Sequence, residues 1–185
     1  MKKALKVFAI LLLTTLLLRG WIYRYSVNYT SIGTRNSIEI TNQDLLDKIQ
    51  IHSNDQQADI QKIIKIANSI TIETLNFTGG PTSNNPNELM QTRQANCIGY
   101  SALFNSIANQ LITQYQLTDR IQAKHHIGQL DFLGINLHQL FSHPFFKDHD
   151  FNTLQDLQTG KVYAIDPSLS DYLGIKRVAF ESYSE

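Results

Sequence analysis

Cys97, the only cysteine in this 185-residue chain, stands where a run of turn formers gives way to a helical rhythm. Residues 77–86, Phe-Thr-Gly-Gly-Pro-Thr-Ser-Asn-Asn-Pro, are loop-like. After the cysteine, Ile98, Leu103, Ile107 and Leu111 recur at mostly helical spacing, with Ala102 and Ala108 beside them. Cys97 is therefore placed in the first turn of a helix, with Asn96 as its N-cap. A helix start offers unpaired N–H groups and a positive dipole end, which favour a thiolate and can hold an oxyanion. The competing reading is a small buried hydrophobe, the commonest fate of a free cysteine.

A single cysteine rules out an intramolecular disulfide and leaves no cysteine cluster for structural zinc. The fold must instead be held by a core, and an apolar fraction of 42% with 17% charged residues is enough for one. The length suits one domain plus an accessory segment. Sixteen basic and sixteen acidic residues cancel, which removes any whole-molecule attraction to nucleic acid.

The accessory segment is N-terminal. Lys2, Lys3 and Lys6 precede an uncharged run from Val7 to Leu18, the layout of a secretory leader. Those residues cover roughly 18 Å as a helix, short of a ~30 Å hydrocarbon core. Snorkelling Lys6 and Arg19 and a belt of Trp21, Ile22, Tyr23 and Tyr25 lengthen the span. Small residues marking a cleavage site are not evident, so residues 1–23 are read as a signal anchor in preference to a cleaved signal peptide or a buried helix. The lysines suggest a cytoplasmic N-terminus, which puts the rest on the extracytoplasmic side, although Arg19 and Arg24 weaken the asymmetry. Residues 24–40, polar and aperiodic, are read as a tether, and residues 41–185 as the folded domain.

Within that domain, Thr41-Asn42-Gln43-Asp44 resembles a capping box ahead of a short helix over residues 45–49. A longer helix is predicted from about Asp55, burying Ile60, Ile63, Ile64, Ala67 and Ile70 and fraying near Gly79-Gly80. Residues 120–130 alternate partially and suggest a strand. Residues 132–146 carry apolar and aromatic residues interrupted by His138, His143 and Pro144, and have no clear period. Residues 168–185 are uninformative.

Two alternating runs, from His149 and up to Asp166, flank the turn Gln158-Thr159-Gly160-Lys161 and predict a β-hairpin. His149 begins its first strand and Asp166 ends its second, so the two lie near one another at the end away from the turn. Counting alone leaves the register open. The arrangement suits a Cys-His-Asp triad, in which the carboxylate orients the imidazole and the imidazole exchanges a proton with sulfur. His125-His126 and His138 with His143 offer a weaker metal reading, since no carboxylate or cysteine completes a recognised spacing. Gly79-Gly80 lacks the Gly-Lys-Ser/Thr of a phosphate loop. Arg93 either supports a thiolate at Cys97 or faces water.

The order of these pieces, Cys97-Ile98-Gly99-Tyr100 on a helix, His149 at a strand start and Ile165-Asp166-Pro167-Ser168 ending the next strand, resembles the transglutaminase-like superfamily of papain-like cysteine enzymes. The resemblance spans roughly residues 55–168. It implies an α+β fold with helices packed on a small antiparallel sheet, and gives Cys97 the role of nucleophile, His149 of base and Asp166 of orienting residue. It further implies a cysteine hydrolase or acyltransferase, of peptidase or amidase type, that works without cofactor or metal on an amide or peptide bond of a protein or peptide substrate. Gln91 and Gln94 are oxyanion donors only by that analogy. Ala95-Asn96 replaces the usual glycine before the cysteine, Asp150 places a carboxylate beside His149 that would raise its pKa, and the irregular segment before His149 suggests an insertion over the cleft. The rival reading is a binding or scaffolding module that keeps the fold without turnover; a role as accessory to peptide maturation or secretion is a third.

Overall fold

The computed structural model describes residues 2–54, 57–141 and 148–181. Its architecture is mixed helix and sheet, preceded by an apolar N-terminal helix. That helix, α1 (Lys2–Ser26), runs for 25 residues, about 37 Å at 1.5 Å per residue, and buries none of them. It is long and apolar enough to cross a membrane, and the alternative of a buried helix is excluded.

The tether expected over residues 24–40 is corrected by β1 (Val27–Arg35), a strand inside the main sheet. Its alternation is weak because it makes a bulge between Ser31 and Gly33, which breaks the period-two pattern. Next comes α2 (Gln43–His52), where Asn42 rather than Thr41 is the cap, its side chain accepting from Leu45 N. The long helix α3 (Ile60–Thr74) is capped by Asp59 and buries Ile60, Ile63, Ile64, Ala67 and Ile70 as expected. Its anticipated start near Asp55 lies outside the described residues. It stops at Leu75, before Gly79-Gly80, because the chain there turns into β2 (Asn76–Phe77).

The run of turn formers ends in a short helix the sequence reading missed, α4 (Pro86–Thr92), with Asn85 as cap and Pro86 in its first turn. β3 (Gln94–Ala95) then pairs in parallel with β2 and delivers the chain to α5 (Cys97–Gln114). From there run β4 (Ile121–Phe132), β5 (Ile135–Asn136), the single turn α6 (Leu137–Leu140), and the hairpin β6 (His149–Asp156) and β7 (Val162–Ile165). The last stretch forms α7 (Pro167–Leu173) and β8 (Ala179–Glu181).

The sheet runs β7-β6-β4-β1-β8, with β5 folded back on β4. Its pairings are antiparallel except β1 with β8, which is parallel, so the expected antiparallel sheet is in fact mixed. One face carries α5 and α3, whose apolar stripes meet Ile121, Leu154 and Ile165 in the main core. The other face holds a smaller aromatic cluster of Tyr29 and Phe151, with Phe180 packed against it. Helix α5 is buried along most of its length, from Gly99 to Ala108 and again at Leu111 and Ile112. This packing fixes the position of its first residue, Cys97.

Candidate active site

Cys97 is the first residue of α5, and Asn96 is its N-cap. The Asn96 side-chain oxygen accepts from the N–H groups of Ile98 and Gly99 at 3.1 and 3.3 Å, and does not engage that of Cys97. Two residues on, Gly99 allows the helix start to lie against the preceding strand. A Cβ there would come within 2.7 Å of Ala95 Cβ and 3.1 Å of Ser83 O. The thiol is neither core nor fully exposed; it lines a pocket shared with His149.

The hairpin register pairs Asn152 with Ile165, so Asp166 lies diagonal to His149 rather than directly across. The imidazole reaches it nonetheless: His149 Nε2 hydrogen-bonds Oδ2 of Asp166. That leaves Nδ1 free of Asp166, and the Cys97 sulfur, on the same pocket wall, helps to favour the protonated ring. His149 retains 22% side-chain exposure, on the pocket side, while Asp166 has none.

Asp166 is held as firmly as it holds. Its Oδ1 caps α7, accepting from Ser168 N at 3.0 Å, Leu169 N at 3.1 Å and Ser168 Oγ at 2.6 Å. Its Oδ2 also accepts from the Tyr29 hydroxyl at 2.9 Å, and Tyr29 in turn shares a 2.8 Å hydrogen bond with the Tyr23 hydroxyl near the end of α1. Burial would raise the Asp166 pKa, but the charge and hydrogen bond of His149, together with Ser168 and Leu169, bring it below the ordinary carboxylate value. Burial would likewise lower His149; the Asp166 carboxylate and the Cys97 sulfur outweigh it and hold the imidazole well above its usual value. Together these groups can stabilise an imidazolium beside a cysteine at a helix N-terminus.

Asp150 does not play the part expected of it. Neighbouring residues on a strand face opposite ways, and Asp150 turns toward α5 and β1. There it accepts from Arg35 Nε at 2.6 Å, Arg35 Nη2 at 3.3 Å and His125 Nε2 at 2.7 Å. The forces that raise His149 come from Asp166 and Cys97 rather than from Asp150. Asp150 is fully buried; its burial would raise its pKa, but His125 and Arg35 together lower it.

Arg93, weighed as a cation for the cysteine, is exposed in the left-handed cap of α4. Arg35 is bound to Asp150, and its charge also acts weakly on Cys97. Sequence reading missed it because Arg35 lies far from Cys97 in the chain and was assigned to a tether. Gln91 and Gln94 are exposed and outside the pocket. The other histidines are dispersed. His126 sits between Ser31 Oγ and Thr153 Oγ1, at 2.8 Å each, with burial, Lys124 and His125 lowering its pKa to about 4. His138 lies 3.4 Å from Asp148, and His143 falls outside the described residues. Of the irregular segment before His149, Leu137 and Phe141 line the pocket.

Comparison with protein-family models, with curated proteins and with solved structures finds no match to this chain.

Proposed function

We propose that this chain is a membrane-anchored cysteine hydrolase or acyltransferase with a transglutaminase-like, papain-like core, acting on an amide or peptide bond through a thioester on Cys97. One observation carries the reading: the single cysteine heads a buried helix and shares a pocket with a histidine whose Nε2 is held by a buried, fully hydrogen-bonded aspartate. That is the relation of nucleophile, base and orienting residue. Sulfur attacks the carbonyl, His149 delivers a proton to the leaving amine, and water or a second amine resolves the thioester. The Cys97 N–H, which Asn96 does not engage, is the backbone donor available to the developing oxyanion. The α1 helix supplies the anchor, and Lys2, Lys3 and Lys6 support a cytoplasmic N-terminus with the domain on the far side.

The test is the rate at which iodoacetamide alkylates Cys97 at pH 6 in the full-length protein. The expected result is a reactive thiol that slows at least tenfold in His149→Ala. An inert thiol, or one indifferent to His149, overturns the enzyme reading.

A further inference from the structure

The site lies against the membrane helix, and the pocket that holds it is apolar. Arg19 of α1 donates from Nε to the carbonyl of Leu173 at the end of α7. Gly174, at φ 64°, makes room for it, because a Cβ there would lie 2.6 Å from Arg19 Nη2. Leu133 N, in the turn between β4 and β5, donates to Ser26 O at 2.8 Å. The last two turns of α1 are therefore docked on the domain, and Tyr23 from those turns forms part of the pocket wall. The cavity, about 450 Å³, is completed around Cys97 and His149 by residues such as Leu130, Leu137, Phe141, Leu169 and Leu173. The volume is typical of a small-ligand site.

Apart from the reacting Cys97 and His149, the side-chain oxygens of its lining already have partners. Ser168 Oγ is bound to Asp166, Tyr23 to Tyr29, and the Tyr172 hydroxyl accepts from Phe77 N at 3.0 Å. A peptide filling this cavity would leave most of its own N–H and C=O groups without partners, which disfavours it. An alkyl chain carries no such groups. Phe132, Leu133 and Ile135 at the β4–β5 turn, Leu140 of α6, and Tyr172 and Leu173 of α7 are exposed, and the turn and α7 are the two places bonded to the end of α1. Exposed apolar side chains grouped beside a membrane helix are placed to meet the bilayer interface.

Resting on the function proposed above, we infer that the pocket receives the acyl chain of a membrane amphiphile, so that the bond cut on Cys97 is a long-chain N-acyl amide. The Cys97 sulfur bonds to the acyl carbonyl carbon, the C–N bond breaks, and the amine leaves with the proton delivered by His149. Water then adds to the thioester, releasing the fatty acid and restoring the thiol. Each methylene taken from water into the cavity strengthens binding about fourfold.

The test compares N-octyl iodoacetamide with iodoacetamide on the full-length protein in phosphatidylcholine vesicles, with Cys97 alkylation followed by mass spectrometry. The wild-type preference for the octyl reagent should exceed that of Leu137→Trp, which fills the cavity, at least tenfold. Leu173→Asn, at an exposed position, gives a second comparison should the first variant fold poorly. Because all three proteins meet the same vesicles, partitioning of the reagent cancels in the comparison. N-decanoylglycine should also protect Cys97 from iodoacetamide better than an acetylated apolar tripeptide amide does. An equal octyl preference in all three proteins, or stronger protection by the peptide, overturns the acyl-chain site. If iodoacetamide labelling still depends on His149, the cysteine-enzyme reading survives that result; an inert Cys97 overturns both.

Discussion

The Tyr29 hydroxyl donates to Oδ2 of Asp166 at 2.9 Å, the same oxygen that receives His149 Nε2. Tyr29 is completely buried and belongs to the first strand of the sheet. The residue that orients the histidine is thus itself oriented from β1. Replacing Tyr29 by Phe deprives a buried carboxylate of a donor, which costs roughly 1–3 kcal/mol. Urea unfolding should register that loss, and Cys97 alkylation at pH 6 should slow about tenfold as the imidazole loses its fixed orientation. Unchanged alkylation would mean that Tyr29 supports the fold alone.

Asp166→Asn should separate orientation from folding. The amide oxygen can still cap α7 through Ser168 and Leu169, yet it carries no charge to stabilise the imidazolium. Turnover on an acyl-amide substrate should fall by about three to four orders of magnitude, by comparison with other triads. Full activity would show that Asp166 is not the orienting residue.

The same variant has a pH signature. The folded His149 pKa is raised well above 6.5, so its protonated form and the stability it contributes are fully present below the unfolded value. Both are lost as pH rises through the folded value. The acylation proposed for this site uses the imidazolium as proton donor, and should therefore fall on that alkaline limb. Asp166→Asn should move the limb to lower pH, measured as kcat/KM against pH. A limb that stays in place would assign it to another group.

Arg35 should prove structural as well as electrostatic. Its side chain is 31% exposed while Asp150 is wholly buried, and Arg35→Ala leaves Asp150 with only its His125 pairing. A loss of about 2–3 kcal/mol is expected, toward the lower end for a broken buried pair because Arg35 is partly in water. The Asp150 pKa is lowered, so its pairing contributes stability above the ordinary carboxylate range and loses it as pH falls through the folded value. Arg35→Ala should accordingly unfold in acid at a higher pH than the wild type. Arg35→Lys should recover part of the loss, and circular dichroism during acid titration measures both.

His126 has the opposite sense to His149. With a folded pKa of about 4, it stays neutral where the unfolded chain takes up a proton, so its contribution is complete above pH 6.5 and declines toward pH 4. One proton corresponds to a slope of at most about 1.4 kcal/mol per pH unit. Urea midpoints between pH 4.5 and 6 should show a rising trend that is reduced in His126→Gln, whatever that variant does to the absolute stability. An unaltered slope would locate the titration elsewhere.

Local patterning was enough for the elements that carry the candidate triad. The cap at Asn96, the helix opened by Cys97 and the hairpin from His149 toward Asp166 are all written in side-chain period, capping residues and turn composition. These are interactions between near neighbours, so they can be read from a line of residues. The cysteine helix and the hairpin are nevertheless separate in sequence, and only packing α5 across β4 and β6 brings sulfur and imidazole together. Three further features depended on that packing. β1 gains its place between β4 and β8 from distant partners, its bulged pattern being too weak to declare a strand. Arg35 meets Asp150 only through that strand, and Asp150 turns away from His149 because consecutive strand residues face opposite sides. The sequence by itself determined which residues have the chemistry and the local conformation to act. The tertiary structure decided which of them meet, because ion pairing and burial depend on distances in space that separation along the chain does not specify.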